Sequence, residues 1–220
     1  MSINRYFDEA LNVARIQEGG HRGVVGGMWD AIGPLQRDFL IAQGLAPHHA
    51  MIDIGCGALR GGVPLTAYLD PGNYYGVDIS AALIEAGYVN EITPAGLADR
   101  LPRHHLRVTD DFDVAFGRRF DFALAVSLFT HLTLDYLTRC LDRLGSEMDA
   151  GGRFYFSVFE GEASQARLEH PHGIVSHPDR DPFHFSQGAL AGAAPDGWRF
   201  DWIGDWGHPR NQQMARFTRV

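Results

Sequence analysis

The spacing of apolar residues changes character about fifty residues into the chain. Residues 3–18 set Ile3, Phe7, Leu11 and Ala14 on one face at helical spacing, which predicts an amphipathic helix. A second helix is expected from about Trp29 to Gln43, with Gly44 where a left-handed cap would end it. Between the two lies the glycine-rich stretch EGGHRGVVGGMWD. Beyond it, short apolar runs predict strands at Ala50–Ile54, Tyr74–Val77, His105–Val108, Phe120–Val126 and Arg153–Phe159. Helical patterns separate them at Val63–Leu69, Ala81–Asn90 and Leu134–Glu147, the last ended by DAGG.

Strict strand–helix alternation implies parallel strands joined by crossover helices, a doubly wound α/β sheet. Residues 160–188 break the rhythm with histidine and proline and are expected to form a long loop. The last runs, Trp198–Ile203 and Gln213–Val220, leave no room for a crossover helix and are expected to pair antiparallel. The expectation is a mostly parallel seven-stranded sheet with an antiparallel last strand. Residues 1–46 would form an N-terminal helical lid on a single core, residues 47–220.

Composition narrows the partners. The 220 residues are 45% hydrophobic and carry a formal net charge of −8, with no concentrated basic patch, which argues against nucleic acid. The first twenty residues have scattered charge and no apolar core, so neither a signal peptide nor a membrane anchor is expected. Cys56 and Cys140 show no paired spacing, so a reduced, cytoplasmic protein is expected. A homodimer is left open.

Candidate chemistry starts at MIDIGCGALRGG, residues 51–62. Gly55 and Gly57 directly after a strand allow a tight turn and amides exposed to a ligand. Asp53 lies beside that turn, and Asp78 ends the next strand in YYGVDIS, where a carboxylate can accept both hydroxyls of a ribose. Together they suggest an adenosine-type site. The order Gly55, Gly57, Arg60, Gly61 departs from the dinucleotide fingerprint G-x-G-x-x-G. Asp53 would also repel a pyrophosphate, so the acid suits a cationic ligand such as a sulfonium or an amino group.

The succession DIGCG, GVDIS, FDFALAVSLFTHL and LDRLGSEMDAGGRFYFSVF resembles the class I S-adenosylmethionine-dependent methyltransferases over roughly residues 48–160. Their Rossmann-like methyltransferase fold also ends in such a hairpin. Within them it is most similar to bacterial small-molecule enzymes of the type-11/type-12 kind, which often carry SxFTHL and a terminal HPR-x-Q. The resemblance implies S-adenosylmethionine as cofactor, with Asp53, Gly55, Cys56 and Gly57 around the methionine part. It further implies Asp78 and Ile79 at the ribose and Asp110, Asp111 or Phe112 flanking the adenine. Arg60, Ser127 and Trp29 complete the expected cofactor set; Trp29 or Arg22 would close the glycine-rich lid over the cofactor, and the aromatic face of Trp29 would attract a sulfonium by a cation–π contact.

On the acceptor side, His131 follows the fourth strand, where a histidine suits removal of a hydroxyl proton. His170, His172, His177 and His184 crowd HPHGIVSHPDRDPFHF. Their spacing matches no tight zinc pattern, so no metal is expected and pocket lining is preferred, His184 foremost. In DWGHPRNQQ, residues Trp206, His208, Arg210 and Gln212 occupy the hairpin tip. His131, His184 and His208 are therefore the candidate catalytic residues. The expected reaction is methyl transfer by in-line displacement to a small-molecule acceptor, with O-methylation favoured over adenine or glutamine N-methylation because VSLFTH replaces the Asn/Asp-Pro-Pro-aromatic stretch. Two rivals stand. An NAD(P)-type Rossmann oxidoreductase is disfavoured by the glycine spacing and by a chain without lysine, hence without a Tyr-x-x-x-Lys pair. A non-catalytic methyltransferase-like binding module is the other.

Overall fold

A computed structural model describes residues 8–18 and 20–220, in two compact units, Met1–Phe116 and Gly117–Val220. The division does not fall at the expected 46/47 boundary: the N-terminal segment belongs to the first unit.

In that unit, helix α1 (Glu9–Gln17) starts where the Asp8 carboxylate accepts from the Leu11 amide at 3.0 Å. Ile3 and Phe7, expected on the same helix, lie outside the described residues. A short helix α2 (His21–Val24) forms within the glycine-rich stretch, where none was expected. Helix α3 (Trp29–Ala42) follows, and Gly44, at φ 95°, closes it while the Leu45 amide returns to the Leu40 carbonyl at 2.9 Å. Then come β1 (Met51–Ile54), α4 (Gly62–Tyr68), β2 (Tyr74–Asp78), α5 (Ala81–Gly87) and β3 (Leu106–Val108). The expected helix end at Asn90 is instead a wider π turn, Tyr88–Ile92. The strands are parallel in the order β3-β2-β1. All four residues of β1 are buried, as a parallel strand covered on both faces requires. Glu9 ties α1 to the start of α5, accepting from the Ser80 hydroxyl at 2.6 Å and the Ala82 amide at 2.9 Å.

The second unit runs β4 (Phe120–Ala125), α6 (Leu134–Gly145), β5 (Met148–Glu160), β6 (Leu168–His170), β7 (Ile174–Ser176), β8 (His184–Phe185), α7 (Gln187–Gly192), β9 (Trp198–Asp205) and β10 (Gln213–Arg219). β4 is parallel to β5, and β10 lies antiparallel between β5 and β9. The seven expected strands are thus present, three in one unit and four in the other, in a mixed α/β, mostly parallel architecture with an antiparallel last strand. Leu137, Cys140, Leu141 and Leu144 give α6 its buried stripe.

Two expectations change. DAGG does not end α6, which stops at Gly145; it lies inside β5, where pairing with β4 jumps from Phe120–Met148 to Phe122–Arg153 and the surplus residues bulge. Residues 160–188 are not a plain loop. β6 and β7 form a small antiparallel hairpin, and β8 adds in parallel to the end of β5. Strands of two or three residues are too short for a period to register. Among the described residues no helix is long and apolar enough to cross a membrane.

Candidate functional site

The turn after β1 does not present its amides to a ligand. Those of Gly55 and Cys56 both donate to the Val77 carbonyl, at 2.8 and 3.0 Å, and that of Gly57 donates to Asp78 Oδ2 at 2.8 Å. The expectation of exposed amides is therefore corrected: the neighbouring strand β2 takes them. What approaches the bare backbone is a side chain. Gly57 sits at φ 53°, and a Cβ there would stand 2.8 Å from Val25 Cγ1, in the glycine-rich segment. The Cys56 sulfur packs over Gly76, and burial pushes its thiol pKa well up, so it stays neutral.

Asp53 is 4% exposed, and its Oδ2 accepts from the Tyr74 hydroxyl at 2.8 Å. Burial pushes its pKa up to about 7; the Tyr74 hydrogen bond and Arg60 oppose the rise, and Asp78 adds to it. A cation beside Asp53 would draw it back to the carboxylate. Tyr74 was not singled out from the sequence, although a buried phenol requires a partner. Burial also raises Asp78, against the amides of Ser80, Gly57 and Ile79. Each Asp78 oxygen accepts one short bond, from Gly57 at 2.8 Å and Ser80 at 2.9 Å. A carboxylate has about four acceptor sites, so capacity remains for hydroxyl donors.

Arg60 is engaged within the chain. Its Nη1 donates to the carbonyls of Val25 and Gly27, both at 2.9 Å, and holds the glycine-rich segment on the turn. Trp29 packs with Val24, Ala58 and Leu83, while the Arg22 guanidinium lies 4.8 Å from its ring centroid. The cation over Trp29 is thus an arginine of the same chain, and Glu91 anchors both that arginine, at 2.7 Å, and His21, at 2.6 Å. The loop after β3 starts beside Asp78, whose carbonyl accepts from the Thr109 amide at 2.9 Å. Asp110 is exposed, Asp111 accepts from the Thr109 hydroxyl at 2.8 Å, and buried Phe112 adopts a left-handed conformation, φ 59°. For a bulky side chain that is a strained position of the kind kept at ligand sites. Of the expected cofactor residues, all but Ser127 lie in this first unit.

The second unit gathers the acceptor-side candidates. Ser127, at φ 61°, follows β4; its amide donates to Ser157 Oγ at 2.8 Å, and both serine hydroxyls donate to Gln212 Oε1, at 3.0 and 2.7 Å. Trp206 Nε1 donates to the Gln212 carbonyl at 2.9 Å and stacks on buried His208. His131 Nδ1 lies 2.5 Å from Asp181 Oδ1, and the Phe183 amide donates to the Thr130 carbonyl at 2.8 Å, so the segment carrying His184 lies against the turn carrying His131. His184 is 2% exposed; its Nδ1 is 3.0 Å from Ser176 Oγ, and its Nε2 has no partner among the described residues. Asp181 and Ser176 were missed because nothing local marks a partner 50 residues from His131 or a serine inside a three-residue strand. The arginine-lined groove of this unit, bordered by Arg153, Arg199, Arg216 and Arg219, lies at the opposite strand ends from His208 and Gln212. Among the described residues no cluster of three or more histidine, cysteine or acidic side chains is arranged to hold a metal.

A family model described as a methyltransferase domain matches residues 52–154. Solved structures of like fold include DhpI with SAH, at TM-score 0.65 and 18% identity over 97% of this chain and 95% of that one. Magnesium protoporphyrin IX methyltransferase (ChlM) from Synechocystis PCC 6803 with bound SAM gives 0.61 and 15% over 98% and 93%. The glycopeptide N-methyltransferase MtfA with (S)-adenosyl-L-homocysteine gives 0.59 and 15% over 84% and 88%. At these identities the structures speak to fold. Residues 52–154 are thus similar to a methyltransferase domain, and the chain has the fold of the class I S-adenosylmethionine-dependent methyltransferases.

Proposed function

We propose that the protein transfers a methyl group from S-adenosylmethionine to a hydroxyl oxygen of a small molecule. The first unit fits this donor by charge. Asp53, a buried carboxyl titrating near pH 7, suits a sulfonium or ammonium ligand, and Asp78 keeps acceptor capacity for two ribose hydroxyls. Asp110, Asp111 and Phe112 follow Thr109, whose amide donates to the Asp78 carbonyl, and would border the adenine. When bound, the cofactor supplies an electrophilic methyl on a sulfonium leaving group. A small acceptor is supported by the chain's acidity and by the likeness to enzymes named for a tetrapyrrole and a glycopeptide.

The observation that carries the hydroxyl assignment is His184. A hydroxyl must lose its proton as its oxygen attacks, and a neutral imidazole is suited to take it. His184 has a buried Nε2 without a protein partner among the described residues, while Ser176 holds the ring through Nδ1. Asp181 accepts from His131 Nδ1–H and so keeps the basic lone pair of that ring on Nε2. Gln212, with its carbonyl oxygen saturated by two serines, is left with amide N–H groups to offer an acceptor oxygen.

Calorimetric titration with S-adenosylmethionine, S-adenosylhomocysteine and NADH tests the donor, with Asp78→Ala as control. Binding of the first two alone, lost in the variant, is expected; NADH binding alone would favour an oxidoreductase. A panel of small phenols, sugars, carboxylates and amines, read by S-adenosylhomocysteine release, tests the acceptor. Turnover confined to amines would overturn the hydroxyl assignment.

A further inference from the structure

We propose that the arginine-lined groove of the second unit binds a small oligoanion, a molecule carrying a chain of two or three phosphate groups. This site is separate from the one read for methyl transfer and does not rest on that reading.

Strand register lays the groove out. Arg153 on β5 stands opposite Thr218 on β10, and Thr218 stands opposite Arg199 on β9. Two residues along, Tyr155, Arg216 and Asp201 form the next row on the same face. The other face carries Phe154, Phe156, Phe200 and Phe217, whose rings contact one another and leave the polar alternates to this side. Arg219 and Val220 border the groove at the end of β10, and its volume is about 530 Å³. The arginines come from three strands, so no basic run marks them in the sequence.

Charge is unbalanced there. Four arginines line the groove, and no acidic side chain does. Asp201, in the adjoining row, is taken by Arg216, whose Nε and Nη2 donate to its Oδ2 at 3.3 and 2.9 Å. Arg199 Nε stays 3.6 Å from that carboxylate, beyond a hydrogen bond, and its side chain is 60% exposed. Two others are held in place: the Arg153 guanidinium lies 5.3 Å from the Phe122 ring centroid, and Arg219 Nη1 donates to the Gly197 carbonyl at 2.6 Å. Like charges gathered across neighbouring strands repel, and an anion between them relieves the repulsion.

Shape and charge narrow the ligand. β5 and β9 are two strand spacings apart, roughly 10 Å, so a chain of two or three phosphates can meet a guanidinium from each strand at once. Each planar guanidinium offers paired donors that match phosphate oxygens. The groove has the volume of a small-molecule site, and the chain's net charge of −8 disfavours a long polyanion.

Calorimetric titration of the full chain with inorganic triphosphate, in low-salt buffer without cofactor, tests the site. One-to-one binding is expected, about tenfold tighter than that of inorganic phosphate. Arg153→Gln and Arg199→Gln should each weaken it about fivefold. Arg37→Gln with Arg103→Gln, the same charge loss as both together but in exposed ion pairs of the first unit, should leave it unchanged. Asp201→Asn removes the competing carboxylate and should tighten binding about threefold, a gain that misfolding cannot produce. No binding at millimolar triphosphate, equal weakening by the control pair, or no response to the three groove substitutions would overturn the proposal. So would a single-stranded oligonucleotide or a polyglutamate peptide that outcompetes triphosphate at these arginines, since the ligand would then be a macromolecule.

Discussion

The Tyr74 hydroxyl donates to Asp53 Oδ2 at 2.8 Å, and this bond opposes the burial that drives the Asp53 carboxyl up to about pH 7. An aspartate normally titrates near 3.9. Between those values the folded state holds a proton that the unfolded state has released. Folding stability should therefore fall as pH rises from about 4 to about 7, by up to about 1.4 kcal/mol per pH unit. Asp53→Asn should flatten the slope of melting temperature against pH, and Tyr74→Phe should extend it to higher pH. Binding has the opposite sign: S-adenosylmethionine affinity should rise with pH through the same window, with proton release seen by calorimetry in buffers of different ionisation enthalpy.

Gly57 is held against Val25 in a backbone conformation that opposes a side chain. Gly57→Ala should destabilise the protein by roughly 2–4 kcal/mol, combining left-handed strain and overpacking. Adding Val25→Ala removes the clashing methyl and should recover only the overpacking part. Urea unfolding of the two single variants and the double variant measures the coupling.

Arg60 should act as a clamp on the glycine-rich segment. Arg60→Met keeps the apolar stem but loses both bonds to Val25 and Gly27. A loss on the order of 2 kcal/mol is expected, together with faster proteolytic cutting within residues 20–28. An unchanged cutting rate would show that packing alone holds the segment.

Gln212 accepts two hydroxyls in a buried position, so Gln212→Leu strands both serines. Destabilisation of roughly 2–3 kcal/mol is expected. Ser127→Ala in the Gln212→Leu background should restore part of it, as thermal unfolding would report.

How much of this was legible follows from range. The strand–helix alternation, the Gly44 cap and the acids at the ends of β1 and β2 are local patterns, and the sequence carries them. The direction of the amides after β1 is not local. Whether Gly55 and Cys56 face a ligand or the Val77 carbonyl depends on a strand some twenty residues on. The histidine partners are further still: Asp181 reaches His131 across 50 residues, and Ser176 sits in a strand too short to announce itself. His184 was singled out for its aromatic neighbours, whereas its interest lies in a buried nitrogen without a partner among the described residues.

The grip of Glu9 on Ser80 and Ala82 bears on how the protein can be trimmed. Its carboxylate serves as part of the opening turn of α5, two residues past Asp78, although it arrives from a helix some seventy positions upstream. A shortened version beginning at the first strand would look like a tidy minimal enzyme. It would expose the front of α5 to water beside the expected ribose site, so the leading helices should be kept in any catalytic fragment or chimera.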